Sequence, residues 1–402
     1  MSLFKKGNFI IMKSLKTDVI IIGCGPGGAQ TARNLSQRGF SVTLLDYRFN
    51  VGDKLCTGIV GTEMLNHYPE VSNYVLNESR SANIHCDNDY SLKIEKNKTQ
   101  ALIIDRQEFI KNISIEARNS GAILKLQRLV NNFEISENEV KVYAKYNGKI
   151  EQYNSDVLVI ASGYGSKLAK RAGFDLSEHY IYGYQTKITN VNVDKVNVFS
   201  GGSLPKGHFG WVVPTFKNKG YCGILGKEKL QNNGLSFLSE MKRKFDFEIE
   251  SKTKVWGIPV SPVARKSRSR ALLVGDVAGQ VKPTTGGGIY FAMRSADIAS
   301  EVINDSLLTR DFSEEHYKSY SKKWDKIFKN ELRVGFFARQ FYESLNSDDI
   351  KGILNHIEES DLISKDINFD WHSKIVMMAF KTKIKSYLKG KMLKRFKSLT
   401  FN

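Results

Sequence analysis

The sequence predicts an α/β fold, with a parallel sheet assembled from separated segments, a β-rich insertion and a helical C-terminal region. Three observations predict it. A strand, a helix and a strand follow one another over residues 18–46, short apolar runs recur at 157–160 and 271–274, and helical periodicity dominates beyond Ser306. A chain of 402 residues is also long enough to contain more than one hydrophobic core.

The first strand–helix–strand unit begins with an apolar, β-branched run at 19–22, which is typical of a buried parallel strand. In the helix that follows, Ala32 and Leu35 are spaced to lie on one face, and Gly39 is placed to end the helix. A second apolar strand occupies 42–46. The order predicts a βαβ unit with a right-handed crossover.

A glycine motif, Gly-x-Gly-x-x-Gly, separates this first strand from its helix. Gly23 permits the tight turn, Gly25 lets the backbone approach a pyrophosphate, and Gly28 allows the helix to lie close to the strand. Asp46 ends the next strand, where an acidic side chain binds a ribose 2′-hydroxyl and disfavours the 2′-phosphate of NADP. Glycines alone often mark only a turn, but this combination predicts a Rossmann-type dinucleotide site.

A second glycine-rich segment follows the apolar run at 271–274. Asp276 is placed to accept hydrogen bonds from ribityl hydroxyls, and the glycines after it would let backbone N–H groups reach a flavin ring. These glycines are Gly279, Gly286, Gly287 and Gly288. An ordinary glycine-rich loop is the alternative, and the first motif argues against it. We therefore expect FAD as the cofactor.

Arg106 stands at the start of a predicted helix, directly after Asp105. Its planar guanidinium would suit the oxygens of the pyrophosphate. A surface ion pair with Asp105 or Glu108 is the alternative, and the spacing leaves both open.

Cys56 is the candidate catalytic residue, in a loop after the βαβ unit that would pass near the flavin. Lys54 lies two residues before it and could favour its thiolate, so Cys56 could act as an acid or a thiolate. A lone cysteine is more often a small buried hydrophobe.

Candidate substrate contacts lie further along, in a strand that stops at Pro214. Phe209, Trp211 and Val213 share one face of this strand. Judged by itself, an aromatic stripe at this period more often belongs to the core.

Taken together, these motifs resemble those of the geranylgeranyl reductases, FAD-dependent enzymes with the fold of para-hydroxybenzoate hydroxylase. The resemblance runs from about residue 15 to about residue 360, includes the helix start at 345–350 and is closest to the archaeal lipid-reducing branch. It implies reduction of C=C bonds in geranylgeranyl chains of isoprenoid lipids or prenyl diphosphates, by hydride from reduced FAD plus a proton. It also implies that Cys56 lies at the flavin and that the aromatic strand lines a prenyl channel.

Only one dinucleotide motif is present, so an external carrier such as NAD(P)H or ferredoxin is expected to supply the electrons. The sequence also departs from the family pattern: Leu55 replaces a proline, Thr57 a glycine, Phe209 a tyrosine and Val213 a phenylalanine. These changes leave the prenyl chain length and head group open. The alternatives are an FAD-dependent monooxygenase or halogenase acting on a small aromatic or electron-rich molecule, and a flavoprotein electron carrier.

The charge of the chain is +18 at pH 7, and much of it lies near the C-terminus. Residues 372–402 contain nine Lys or Arg and no Asp or Glu, with apolar residues at intervals of three and four. This pattern predicts a helix on an anionic membrane surface. A helix packed on the protein with a solvated lysine face is equally compatible. Nucleic acid is disfavoured because no binding motif accompanies the charge.

Four cysteines without a C-x-x-C pair argue against a zinc site and a disulfide framework, so no metal is expected. No apolar run approaches the length of a spanning helix, and residues 1–16 lack the features of a signal peptide. We therefore expect a cytoplasmic protein with peripheral membrane association. Met12 is a possible alternative start.

The same patterns predict three regions. Residues 175–260 alternate short β-rich runs with turn residues, which indicates a second sheet. The predicted division is a discontinuous FAD-binding domain of residues 15–60, 100–172 and 255–305, a β-rich prenyl-binding domain of 61–99 and 173–254, and a helical region of 306–402.

Overall fold

The structure is a computed structural model that describes residues 12–54, 56–87, 90–227, 230–360, 362–364 and 368–387. Its α-helices in these ranges are α1 (Pro26–Gln37), α2 (Glu63–His67), α3 (Arg106–Asn119), α4 (Leu168–Arg171), α5 (Leu230–Phe245), α6 (Ile289–Thr309), α7 (Glu314–Tyr342), α8 (Ser347–Glu359) and α9 (Ser373–Phe380). Short 3₁₀ helices occupy Pro69–Tyr74, Asp276–Ala278 and Lys383–Tyr387.

The strands in the same ranges are β1 (Met12–Ile22), β2 (Val42–Leu45), β3 (Ile59–Gly61), β4 (Val75–Ser79), β5 (Ser81–His85), β6 (Ser91–Glu95), β7 (Ala101–Ile104), β8 (Ile123–Lys125), β9 (Leu129–Ile135), β10 (Val140–Tyr146), β11 (Lys149–Ile160), β12 (Tyr180–Thr189), β13 (Val196–Ser200), β14 (Phe209–Pro214), β15 (Lys219–Gly226), β16 (Glu248–Ile249), β17 (Lys254–Pro259), β18 (Ser267–Arg268) and β19 (Ala271–Leu273). They form three sheets.

The first sheet contains the parallel strands β19, β11, β1, β2 and β8 in that order, with β18 antiparallel at one edge and the β9–β10 hairpin joined to β11. Alternate residues of β1 face opposite sides. Ile21 belongs to a first hydrophobic core with residues of α1, α3, α6 and α7, whereas Ile20 belongs to a second core with residues of β9, β10 and α4. The predicted α/β fold and its first βαβ unit are confirmed.

The second sheet has the order β16, β12, β15, β14, β13, β5, β6, and β17 also pairs with β12. Helix α5 covers one face, with Phe237 and Met241 in a core that includes Ile188 and Ile224. The separate sheet predicted over residues 175–260 is present, but the prediction did not include α5. The polar first turn of α5, with Gln and two Asn, obscures the apolar spacing that continues through Phe237 and Met241.

A small antiparallel sheet of β3, β7 and β4 lies between the two large ones. In β7, Leu102 and Ile104 belong to the first core, whereas Ile103 belongs to a cluster with Trp211 and Val281. The predicted domain division stays a prediction. Its 61–99 segment supplies β4 to this small sheet and β5 and β6 to the second sheet.

Aromatic contacts attach the C-terminal part of the described chain to α7. The ring of Trp371 stacks on Phe328 with 5.5 Å between centroids, and Phe380 contacts Phe337 and Phe341 at 5.2 and 4.9 Å. Phe380 and Ile384 are only 3% exposed. Up to residue 387, the apolar side chains of the basic C-terminal segment therefore pack on the protein. This agrees with the alternative interpretation, in which the segment packs on the protein rather than on a membrane.

The remainder of the basic segment, residues 388–402, lies outside the described residues. Within the ranges that are described, no helix is both long enough and apolar enough to cross a membrane. In those ranges, no cluster of three His, Cys, Asp or Glu side chains is placed to bind a metal ion.

Candidate functional site

The predicted cofactor residues meet at the carboxyl edge of the first sheet. Ile22 pairs with both Leu45 and Ile160, and Ile160 pairs with Leu273. Four parallel strands therefore end side by side, so the segments that follow them share one edge. This is where open α/β sheets bind their ligands.

The first glycine motif forms a turn that side chains would disrupt. Gly23 has φ +106°, and a Cβ on Gly28 would overlap the carbonyl oxygen of Gly23. In contrast, a Cβ on Gly25 would meet no atom of the described residues within 4 Å beyond its chain neighbours, since Gly25 faces open space at the N-terminus of α1. The free backbone and the helix dipole at this point suit a phosphate group.

Asp46 is 3% exposed and anchored by its neighbours. Its Oδ2 accepts hydrogen bonds from the backbone N–H of Cys24 at 2.6 Å and from the guanidinium of Arg48 at 3.2 Å. Its Oδ1 accepts the backbone N–H of Arg48 at 2.8 Å. The carboxylate thus links the end of β2 to the glycine turn, and its contact with a ribose stays a prediction.

The second glycine segment surrounds Asp276. The carboxylate accepts a hydrogen bond from Lys54 Nζ at 2.7 Å, and a Cβ on Gly288 would lie 3.0 Å from its other oxygen. At Gly279, with φ +66°, a Cβ would overlap the carbonyl of Ser261.

The two glycines between these positions are also constrained. Gly286 has φ +74°, and a Cβ on Gly287 would lie 2.9 Å from Cε of Lys282. These glycines therefore keep backbone exposed beside Asp276 because side chains do not fit.

Two buried hydroxyls fit a cofactor along this edge. Ser162 Oγ follows β11 and Thr285 Oγ1 precedes the three glycines, and neither has a hydrogen-bond partner among the described residues. Buried hydroxyls are normally paired, so both are available to a ligand. Together with the open face of Gly25, they fit the phosphates, hydroxyls and ring carbonyls of FAD.

Arg106 is 7% exposed and begins α3, whose N-cap Asp105 accepts the backbone N–H of Glu108. Its guanidinium donates to the carbonyl of Gly52 at 2.6 Å and to that of Lys54. The alternative of a surface ion pair is therefore wrong. Arg106 holds the loop that precedes Cys56, and its contact with a pyrophosphate stays a prediction.

The segment around Cys56 is fastened at both ends. Lys54 is paired with Asp276, and the hydroxyl of Thr57 donates to Gln185 Oε1 at 2.6 Å. Cys56 is partly buried against the first core. The ammonium group of Lys54 is thus directed to Asp276, and the catalytic role of Cys56 stays a prediction.

The aromatic strand is β14. Trp211 is 8% and Val213 1% exposed, and both belong to a cluster with Leu225 and Ile258, as the core interpretation expects. Phe209 is only partly buried beside them, and Pro214 is the last residue of the strand. Contact of these four residues with a substrate stays a prediction.

Tyr221 was missed by sequence reasoning. Burial raises the pKa of Tyr221 to about 12, with smaller contributions from Cys56 and Asp105 and an opposing one from Arg106. The phenol is therefore protonated at neutral pH. Its place in β15 carries no motif, so only the folded chain reveals it.

Gln185 was also missed. It lies in the middle of β12, fully buried, on the same face as Ile181. A polar residue among aromatic and apolar neighbours is the signal that could have drawn attention to it.

Comparison with known proteins decides the class. Residues 17–203 match the model of the pyridine nucleotide-disulphide oxidoreductase family. Over 374 residues the chain is 24% identical to a digeranylgeranylglycerophospholipid reductase of Methanothrix thermoacetophila, covering 88% of this chain and 94% of that protein. The chain is an FAD-dependent oxidoreductase. Its resemblance to the geranylgeranyl reductases is thereby confirmed.

Solved structures support the fold of this oxidoreductase. A geranylgeranyl bacteriochlorophyll reductase-like protein from Thermoplasma acidophilum superposes with a TM-score of 0.85 at 20% identity, covering 96% of this chain and 100% of that one. A flavin-dependent brominase superposes less closely, with a TM-score of 0.68 at 17% identity over 91% and 98% of the two chains. The oxidoreductase therefore has the fold of para-hydroxybenzoate hydroxylase.

Proposed function

We propose that this oxidoreductase saturates C=C bonds in the geranylgeranyl chains of an isoprenoid lipid or a prenyl diphosphate. The curated relative from Methanothrix carries the proposal, because the similarity extends over nearly the whole of both chains. The site geometry is compatible with it: the Cys56 segment lies between Asp276, at the cofactor edge, and the apolar face of the second sheet.

Bound FAD would supply the hydride. An isolated alkene is neither charged nor polarised, so the protein must exclude water, hold the chain close and deliver one proton. The cluster of Trp211, Leu225 and Ile258 supplies the apolar surface, with Phe209 at its partly buried margin. Cys56 is our candidate for the proton donor.

The function is tested with anaerobically reduced enzyme and a geranylgeranyl lipid. A mass gain of one H₂ per reduced bond, together with reoxidation of the flavin, is the expected result. A product that forms only when oxygen is admitted would favour a monooxygenase or halogenase instead. The same assay run with NADPH, NADH or reduced ferredoxin identifies the external electron donor.

Cys56→Ser is expected to lower kcat for prenyl reduction roughly 100-fold, because a hydroxyl is a far weaker acid than a thiol. FAD content and the melting temperature should stay at wild-type values. The matched control is Cys86→Ser. The native Cys86 is buried near α8, with its Sγ 3.5 Å from the carbonyl oxygen of Ser347. Equal rates for Cys56→Ser and wild type would show that Cys56 does not donate the proton.

We further propose that the basic segment after residue 387 attaches the enzyme to anionic membranes, where a prenyl phospholipid would be found. Each cation near such a surface contributes about 1 kcal/mol. Truncation near Asp370 is a poor test, because Asp370, Phe380 and Ile384 are buried in the fold.

Neutralising five cations in the full chain tests this role. The replacements to Gln are at Lys389, Lys391, Lys394, Arg395 and Lys397. Sedimentation with anionic vesicles should weaken by at least about tenfold, and the melting temperature should not change. The control neutralises five exposed lysines elsewhere, at Lys93, Lys111, Lys219, Lys318 and Lys322. An equal loss in both variants would mean that net charge alone matters.

A further inference from the structure

Gln185 has a hydrogen-bonding arrangement that the fold by itself leaves incomplete. Its Oε1 accepts two hydrogen bonds, from the hydroxyl of Thr57 at 2.6 Å and from the indole N–H of Trp211 at 3.1 Å. Its Nε2 is buried and has no partner among the described residues. A buried amide N–H without an acceptor lowers the stability of the folded protein, so we expect a bound ligand or water molecule to supply the acceptor.

The orientation of the amide follows from chemistry. The indole N–H of Trp211 can only donate a hydrogen bond, so the atom of Gln185 that faces it must be the oxygen. The amide nitrogen must then point the other way. Turning the amide over would place two donors against each other and also deprive Thr57 of its acceptor.

The contact between Gln185 and Trp211 is built into the sheet. Gln185 pairs with Gly223 on β15, and Gly223 pairs with Trp211 on β14. A Cβ on Gly223 would lie 2.6 Å from the indole ring. Glycine at this position therefore lets Trp211 extend across the middle strand to reach the amide.

The surroundings connect this arrangement to the proposed chemistry. Gln185 shares its face of the sheet with apolar side chains such as Ile181. Its hydrogen bond to Thr57 fixes the residue next to Cys56, while Lys54 fixes the other end of that segment to Asp276. The segment thus has one attachment at the cofactor edge and one at the substrate face.

We propose that Gln185 is a positioning residue for Cys56, and that its amide N–H binds one acceptor oxygen in the loaded site. The proposal rests on the proposed function. The acceptor is an oxygen of the flavin or of a bound water molecule, and the experiment distinguishes the two.

Three variants test it. Gln185→Met removes both hydrogen-bonding groups at similar volume, and Thr57→Val removes one bond. Thr186→Val is the matched control, because Thr186 is buried next to Gln185 but on the opposite face, where its hydroxyl donates to the carbonyl of Ser251 at 2.6 Å.

The first measurement does not depend on catalytic activity. In the protein without flavin, the indole N–H resonance of Trp211, assigned with Trp211→Phe, should shift in Gln185→Met and stay in place in Thr186→Val. An unchanged resonance in Gln185→Met would overturn the role of the amide oxygen.

In the loaded enzyme, Gln185→Met should lower kcat about tenfold with KM within about twofold of wild type, because the acid is misplaced and prenyl binding is retained. Thr57→Val should reproduce part of this loss. A shift in flavin absorption or midpoint potential identifies a flavin oxygen as the acceptor. An unchanged flavin with an altered solvent isotope effect identifies water. An unchanged kcat overturns the proposal.

If Gln185→Met does not fold, Gln185→Glu tests the donor role of the amide instead. Its carboxylate retains an acceptor for Trp211 but lacks a donor, and burial will raise its pKa. Its turnover relative to wild type should recover at low pH, where the protonated carboxyl donates again. A constant ratio across pH would contradict the donor role. If wild type reduces no prenyl chain, the proposed function fails, and the indole resonance still decides the role of Gln185.

Discussion

Gly25→Ala is expected to give a folded protein that no longer retains FAD. The added methyl group meets no atom of the described residues within 4 Å beyond its chain neighbours, and φ of −86° is open to any residue, so the stability of the protein without flavin should stay at the wild-type value. The methyl group would instead occupy the space over the N-terminus of α1 where the pyrophosphate is expected. We expect the affinity for FAD to fall by at least about tenfold, which is about 1.4 kcal/mol.

Gly28→Ala separates a clash with the protein from a clash with the cofactor. Its methyl group would overlap the carbonyl of Gly23, so the turn itself must move, at a cost of about 3 kcal/mol. This variant should therefore lose both stability and FAD. Thermal unfolding of the flavin-free proteins and fluorescence titration with FAD measure the two effects.

Gly148→Asn serves as the control for both glycine variants. Gly148 lies in the β10–β11 hairpin with φ +78° and open space around it, and Asn tolerates this backbone region. Neither stability nor FAD affinity should change. If Gly25→Ala also binds FAD with unchanged affinity, the pyrophosphate does not lie over Gly25.

Asp370→Ala is expected to lower the free energy of unfolding by about 3–5 kcal/mol, because it leaves a buried lysine without its counter-ion. Lys282 and Asp370 form an ion pair at 3.1 Å, with side chains only 3% and 2% exposed. Asp370 also accepts the backbone N–H of Gly61 at 2.9 Å. Chemical denaturation measures the loss.

The loss should depend on pH. Burial lowers the pKa of Lys282 even in wild type, although Asp370 opposes the shift, and removing Asp370 must lower that pKa further. Between this lowered pKa and 10.5, the lysine is neutral in the folded variant but still protonated in the unfolded chain. Its stability should consequently rise with pH across this window, so the deficit relative to wild type is greatest below the lowered pKa and shrinks in alkali.

Replacing both partners is the control for this pair. Lys282→Met with Asp370→Leu removes both charges at similar volume, and such exchanges often restore or improve stability. We expect the double variant to be more stable than Asp370→Ala. If Asp370→Ala unfolds at the wild-type denaturant concentration, the pair does not hold the C-terminal segment to the loop of Lys282.

Local patterns were enough to predict the first strand–helix–strand unit and both glycine motifs. Val19–Ile22 is an unbroken apolar strand in both sequence and structure, and Gly23 and Gly28 occupy positions where a Cβ would collide. Patterns failed at α5, where a polar first turn hides the apolar spacing. Arg106 was correctly placed at a helix start, but the partners of its guanidinium, the carbonyls of Gly52 and Lys54, are set by how a distant loop folds back.

The sequence by itself therefore determined the α/β class, the dinucleotide motif and the expected cofactor, since all of these depend on motifs whose residues lie close together in the chain. Only the tertiary structure decided which distant side chains meet: Lys54 with Asp276, Thr57 with Gln185, and Lys282 with Asp370. The physical reason is that hydrogen bonds and ion pairs act over a few ångströms, and only the folded chain brings together residues 222 positions apart, as for Lys54 and Asp276.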